Sequence, residues 1–232
     1  MTSDFSDFKN TYRQEVQASI SFIGQDVDFF TEVKAKHILE LARQHFGELK
    51  DLKVLDVGCG VGETDRYLTK RFGELYGVDV AAGVLDVAGT KNPTAKYLVY
   101  DGSTLPFQDD MFDVAFAVCV LHHVEPRKWS RFISEMKRVT REGGLVAVFE
   151  HNPFNPLTKL AVNRCAFDKD ATLVSARRLS NILINSGMVI IDRNYFLFFP
   201  SRGHIFSIIE RWLWRFPLGA QYYIVAGKSL TD

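Results

Sequence analysis

The chain has 232 residues, with 28 Lys and Arg against 28 Asp and Glu, 47% hydrophobic and 24% charged residues. This is the composition of a globular α/β-sized chain with a sizeable core, and its zero net charge lacks the basic excess that phosphate neutralisation leaves in nucleic-acid binders. No apolar run is long enough to cross a membrane, residues 1–10 lack the apolar region of a secretory signal, and the three cysteines, Cys59, Cys119 and Cys165, form no CxxC pair, so no disulfide framework, zinc site or other metal is expected. A reduced, cytoplasmic protein is the expectation.

In chain order, residues 8–22 read as helical. Residues 26–46 read as a second helix, because Phe30, Val33, Ile38, Leu41, Ala42 and Phe46 recur at helical spacing after Asp26 or Asp28, either of which can serve as N-cap. Five short apolar runs follow, at 54–57, 75–80, 96–100, 114–120 and 145–149. They are continuous rather than alternating, which suits strands buried on both faces of a parallel sheet. Residues 128–140 form a helix with Trp129, Phe132, Ile133, Met136 and Val139 on one face, and Gly143-Gly144 stops it and opens strand five. Residues 176–186 form another, with Ala176, Leu179, Ile182 and Leu183 inward and Gly187 after its end. Two strands, near 188–196 and 221–227, complete the pattern. Alternating strands and helices predict a three-layer α/β sandwich, and no linker divides the chain.

The first strand ends in Asp56-Val57-Gly58-Cys59-Gly60-Val61-Gly62. Alternating glycines at a strand-to-helix turn let backbone approach a ligand or take positive φ. A helix expected to start near Glu63 would aim its N–H groups there. Strand two ends in Gly77-Val78-Asp79, 17 residues after Gly62, where a carboxylate can accept from a ribose diol. The spacing is G-x-G-x-G rather than the dinucleotide G-x-G-x-x-G, and no G-K-[ST] makes a P-loop. Glu63 is a poor neighbour for a pyrophosphate, but it is tolerable beside a cofactor with a cationic sulfonium and an amino group. These residues favour S-adenosylmethionine (SAM) over NAD.

The segment from Val54 to Gly62 resembles the first signature of the class I SAM-dependent methyltransferases, and further signatures follow in order. Gly77-Val78-Asp79 resembles the ribose-binding acid. The stretch from Asp101 to Phe107 resembles the adenine-contacting turn, Phe112 to Val124 resembles strand four with its exit, and Arg141 to Leu145 resembles the turn into strand five. The likeness spans about residues 53–150 and is closest to the small-molecule branch with the ubiquinone/menaquinone-biosynthesis methyltransferases. It implies a seven-stranded, mostly parallel sheet of order 3-2-1-4-5-7-6 with strand seven antiparallel. It also implies one domain: a helical lid at 1–48, a SAM-binding core at 49–150, and acceptor-side segments with the last strands at 151–232.

By that resemblance, Gly58, Cys59 and Gly60 line the methionine moiety, and Asp56 orients the loop or the amino group. Asp79 and Val80 hold the ribose side, and Asp101, Gly102 and Ser103 the adenine. Val118, Leu121 and His122 border the sulfonium, and Tyr12 resembles a lid tyrosine. S-adenosylhomocysteine is the implied product. From the residues themselves, Asp56 could be only a structural hydrogen-bonder, Asp101 only a turn former, and Cys59 reads as packing. His122-His123 follows strand four at the carboxyl edge, where ligands of such sheets bind, and an imidazole there can take a proton from a substrate hydroxyl. Glu150-His151-Asn152-Pro153-Phe154-Asn155-Pro156 reads as a rigid polar loop after strand five, with His151 or Glu150 at the acceptor. The expected activity is methyl transfer to a small-molecule or lipid-linked acceptor, at oxygen, with His151 or His122 as base and no nucleic-acid partner. A non-catalytic SAM-binding regulator and an RNA or protein methyltransferase are the alternatives. The charges at 163–178 read as a solvated face or a pocket for an anionic acceptor, and the aromatic stretch 195–216 as core or dimer packing, a peripheral membrane contact or a cap over a lipid-like acceptor.

Overall fold

The apolar run at the start of the core forms β1 (Lys53–Val57) in the middle of a sheet. It pairs in parallel with β2 (Glu74–Asp79) on one side and β4 (Phe112–Val118) on the other. β3 (Lys96–Val99) extends the β2 edge, and β5 (Thr140–His151) extends β4. β7 (Gln221–Lys228) lies antiparallel between β5 and β6 (Met188–Phe196). The order among the described residues is 3-2-1-4-5-7-6 across seven strands, as expected. The computed structural model describes residues 11–199, 201, 212–213 and 216–228. Residues 8–10 of the first expected helix, and most of the aromatic stretch 195–216 beyond residue 199, lie outside that set.

Strand geometry sends successive side chains to opposite faces, and the core divides accordingly. Leu55 and Val57 pack with Trp129, Ile133 and Met136 of α5 (Trp129–Val139) and Leu179 and Leu183 of α7 (Ala176–Asn185). Val54 faces the other way, onto Ile38 and Ala42 of α2 (Val27–Phe46) and Leu68 of α3 (Asp65–Leu68). Removing a side chain such as Leu55 from water contributes roughly 2–3 kcal/mol. α1 (Tyr12–Ile20) lies on the α2 side of the chain's opening, tied by the Arg13–Asp28 pair. No helix among the described residues is long and apolar enough to cross a membrane.

Local chemistry explains the boundaries. Asp26 accepts from the Phe29 N–H at 2.7 Å and starts α2. Ser175 caps α7, and Gly187 follows its end at φ 74°. Three expectations shift. β5 begins at Thr140, before the Gly143-Gly144 pair, because those glycines sit inside an irregularity of the β4–β5 ladder. A Cβ at Gly144 would stand 2.8 Å from the Asp113 carbonyl oxygen, so the pair makes room there instead of marking the helix stop. The helix expected near Glu63 is a single turn that starts at Asp65. Finally, α4 (Ala82–Lys91) fills the helical place that the alternation implies between β2 and β3, and α6 (Pro156–Arg164) appears where no helix is predicted. In α6, Asn155 accepts from Thr158 N–H at 3.0 Å with Pro156 in the first turn, so the polar stretch after β5 is a capped helix start.

Candidate active site at the carboxyl edge of the sheet

The chain leaves β1 through a loop whose shape its glycines dictate. Gly58 and Cys59 both donate to the Val78 carbonyl, at 2.8 and 3.0 Å, which turns the loop tightly over the end of β2. Gly58 has φ 81°, and a Cβ there would stand 2.6 Å from both Val120 methyl carbons. Gly60 has φ 52° and open space where a side chain would begin. Asp79 locks the loop: one carboxylate oxygen accepts from Gly60 N–H at 3.0 Å and the other from Ala81 N–H at 3.0 Å. Burial raises the Asp79 pKa against the pull of these N–H donors.

Beneath the loop two carboxyls face each other. Asp56 at the end of β1 and Asp65 in α3 are buried, and each has one oxygen without a hydrogen-bond donor in reach. Burial lifts both pKa values, Asp65 to about 6, so the pair shares a proton. Asp65 also accepts from the Tyr97 hydroxyl at 2.7 Å.

Above the carboxyl edge lies a cavity of about 1050 Å³. Its floor includes Gly58, Gly60, Asp79, His122 and His151, and its roof includes Tyr12, Val16 and Ile20 of α1, Lys34 of α2, and Leu157 and Val162 of α6. Tyr12 is fixed there by stacking on Phe167 at 5.2 Å between ring centroids. At the far end the β5–β7 register sets His151 against Gln221, whose amide nitrogen is 3.3 Å from His151 Nδ1.

One wall holds a chain of ionisable groups. The turn 121–123 after β4 points Leu121 into the core and His122 and His123 toward the cavity. His122 Nδ1 lies 2.7 Å from Glu150 Oε2, with both side chains sealed from solvent. Glu150 also accepts from the His122 and His151 backbone N–H groups, at 3.3 and 3.2 Å. Asp168, on the turn 166–168 after α6, places Oδ1 3.6 Å from His122 Nε2 and 3.2 Å from His123 Nε2. Burial alone would lower the His122 pKa, but the Glu150 charge, the hydrogen bond to Glu150 and the Asp168 carboxylate nearby outweigh it and hold the ring well above the ordinary imidazole range. Asp168 is held far below the ordinary carboxylate range, because the two imidazoles outweigh its burial. His151 is pushed down to about 4 by burial and by charge on His122, which keeps it neutral.

Residues 55–148 match a family model described as a methyltransferase domain. The chain is 28% identical over 148 residues to an uncharacterized methyltransferase of Synechocystis sp., covering 62% of this chain and 70% of that one. It is 33% identical over 113 residues to the demethylmenaquinone methyltransferase of Renibacterium salmoninarum, covering 47% and 46%. Residues 55–148 are a SAM-dependent methyltransferase domain. The methyltransferase fold extends beyond the matched stretch: a solved SAM-dependent methyltransferase from Thermotoga maritima superposes with a TM-score of 0.69 at 19% identity, covering 99% of this chain and 100% of that one. The chain spans less than half the length of the demethylmenaquinone enzyme.

Of the residues the sequence singles out, Tyr12, Asp56, Gly58, Cys59, Gly60, Asp79, Val80, Gly102, Val118, His122 and His151 line the methyltransferase cavity. Four do not. Asp101 is exposed and one of its oxygens accepts from the Ser103 and Thr104 N–H groups at 2.7 Å, so it shapes its own turn; Ser103 sits in that turn. Leu121 is fully buried in the core, because the turn after β4 rotates it away from the cavity. Glu150 is sealed behind His122 and acts on it, out of reach of an acceptor. His122, clamped between two carboxylates, holds a proton and is no base in this state. Glu63 lines the cavity, but its charge is shared with Lys91 at 2.7 Å and Arg13 at 3.5 Å.

Asp168, Lys34, Cys119 and Gln221 belong to the cavity and escape the sequence reading. Asp168 hides among the charges of 163–178, and Gln221 is an ordinary strand opener until the antiparallel β7 sets it beside His151. Cys119 takes φ 57° immediately after β4, a strained backbone state for a residue with a side chain, as often found at functional sites.

Proposed function

We propose that this chain transfers the methyl group of SAM to an oxygen of a small-molecule or lipid-linked acceptor, leaving S-adenosylhomocysteine. The residues fit the cofactor. Backbone at Gly60 borders open space, Asp79 presents a carboxylate to the cavity, and the cations nearest the loop's end, Lys91 and Arg13, are paired with Glu63. In this reading Gly58, Cys59 and Gly60 take the methionine part, Asp79 and Val80 the ribose, and Gly102 the adenine side, with Val118 beside the reacting centre and Tyr12 closing above. When bound, SAM supplies a methyl group on a cationic sulfur. The chain's own contribution is to orient the acceptor against it and exclude water.

The observation that carries the oxygen assignment is His151. It is a neutral imidazole on the cavity wall, at the end of β5 beside the loop, and only a neutral ring can take a hydroxyl proton. Gln221 Oε1 is buried without a partner. Turning that amide over would let it accept from His151 Nδ1–H and leave Nε2 as the basic nitrogen. Exposed Phe154, Leu157 and Leu218 stand beside α6, joined by the Asn155 side-chain donation to the Leu218 carbonyl at 2.8 Å. This apolar surface supports an apolar acceptor over a nucleic acid. The test is His151→Ala, assayed with hydroquinones, phenols and carboxylic acids as acceptors. Turnover falls by about 10²–10⁴-fold with SAM affinity unchanged; equal loss of both removes His151 from the acceptor side.

A further inference from the structure

We propose that His122, His123 and Asp168 form a binding site for one divalent transition-metal ion, zinc or a similar ion, with an open coordination position facing the cavity. One donor atom from each of the three lies within 4.8 Å of the others. Asp168 Oδ1 is 3.6 Å from His122 Nε2 and 3.2 Å from His123 Nε2. Ligands held about 2.0 Å from a tetrahedral zinc stand about 3.3 Å apart, so two of the three edges already have the spacing of a coordination shell. The third edge, between the two imidazole donors, is no longer than 4.8 Å.

Three further observations point the same way. Asp168 Oδ1 is buried, yet it has no aligned hydrogen bond, although two imidazoles flank it at ion-pair range. A buried carboxylate oxygen aimed between two ring nitrogens without a bond of its own is what a shared cation would satisfy. The second is Glu150. It holds His122 Nδ1 at 2.7 Å, so that with an ion bound the Nδ1 proton is fixed toward the carboxylate and Nε2 is the free donor. Carboxylate–histidine–metal relays of this form orient ligands and raise their basicity. The third is position: all three ligands line the cavity, and three protein ligands leave a fourth position for water or an acceptor oxygen. A metal-bound imidazole donates through a deprotonated nitrogen, so binding is weaker in acid and releases protons to solvent. The metal assignment rests on these residues alone; what an ion would do, polarise an acceptor oxygen next to His151, rests on the reading of the cavity given above.

The test is metal binding by the whole chain, purified without a histidine tag and stripped with a chelator. Zinc is titrated against a chromogenic chelator, and cobalt is followed by its visible ligand-field bands. One ion per chain is expected. Asp168→Asn and His123→Ala should each weaken zinc by at least about 100-fold, and Glu150→Gln by about 10–100-fold. His45→Ala, an exposed histidine near the end of α2 and outside the cavity lining, should bind as the parent does. S-adenosylhomocysteine binding by each variant shows that it is folded. No stoichiometric binding of zinc or cobalt, or equal binding by parent and Asp168→Asn, overturns the site. A chain that binds one ion but methylates no oxygen acceptor contradicts the proposed function and leaves the metal site standing; a chain that methylates an oxygen acceptor but binds neither zinc nor cobalt does the reverse.

Discussion

Glu150 Oε2 sits 2.7 Å from His122 Nδ1, and the two side chains, on β5 and after β4, are 0% and 1% exposed. A pair so fully removed from water is balanced only while both members are present. Glu150→Ala leaves a protonated ring buried beside Asp168 alone and should destabilise the chain by about 3–5 kcal/mol. Replacing both residues together with leucine should cost clearly less than the single change, because no charge is stranded. Urea unfolding in metal-free buffer measures both. A double variant as unstable as Glu150→Ala would mean that the loss comes from packing and not from the pairing.

The glycine loop gives a paired prediction. Gly58→Ala drives a Cβ to 2.6 Å from two Val120 carbons, at φ 81°. It should cost about 1–3 kcal/mol and weaken SAM at least tenfold, because the loop must move. Gly60→Ala, at φ 52° with open space around the new atom, should cost only about 1 kcal/mol. Its effect should fall on SAM, which needs that space. Thermal unfolding and calorimetry of the two variants separate fold from site. Equal stability of both would contradict the loop geometry.

The Asp56–Asp65 pair makes the fold pH-sensitive. Burial raises the Asp65 pKa from 3.8 to about 6 in the folded chain. Between those values the folded state holds a proton that the unfolded state gives up. Stability from this group is therefore present at low pH and falls as pH rises through about 6. Asp65→Asn offers Asp56 a permanent N–H donor and keeps an acceptor for the Tyr97 hydroxyl. It should raise stability at pH 7.5 by up to roughly 3 kcal/mol, with the gain gone by pH 4. Unfolding curves across that range check it; a gain independent of pH would show that the two carboxyls share no proton.

Much of this was legible in the sequence, and the reasons are physical. Buried strands of a parallel sheet need continuous apolar runs, so β1, β2 and β4 fall within two residues of expectation. Asp26 and Gly187 are strong terminus chemistry, and α2 starts and α7 ends where those residues put them. The cofactor half is local: Gly58, Gly60 and Asp79 lie within 22 residues and meet across adjacent strands. The other half is not. Asp168 reaches His122 across 46 residues, and Gln221 reaches His151 across 70, through a strand that runs against its neighbours. No spacing rule in the chain announces such contacts. Asp101 and Leu121 depart from expectation because a side chain's direction depends on the turn: Asp101 spends one oxygen on its own turn, and Leu121 lies in the core.

The central claim is that the loop and Asp79 hold SAM. The direct measurement is calorimetric titration of the chain and of Asp79→Ala with SAM, S-adenosylhomocysteine and NAD. Asp79 both fixes Gly60 and presents oxygens to the cavity. The account predicts one SAM per chain in the micromolar range, a similar affinity for S-adenosylhomocysteine, no NAD binding, and at least about a 100-fold loss in Asp79→Ala, about 3 kcal/mol of binding. Unchanged SAM affinity in that variant, or binding of NAD in place of SAM, would contradict it.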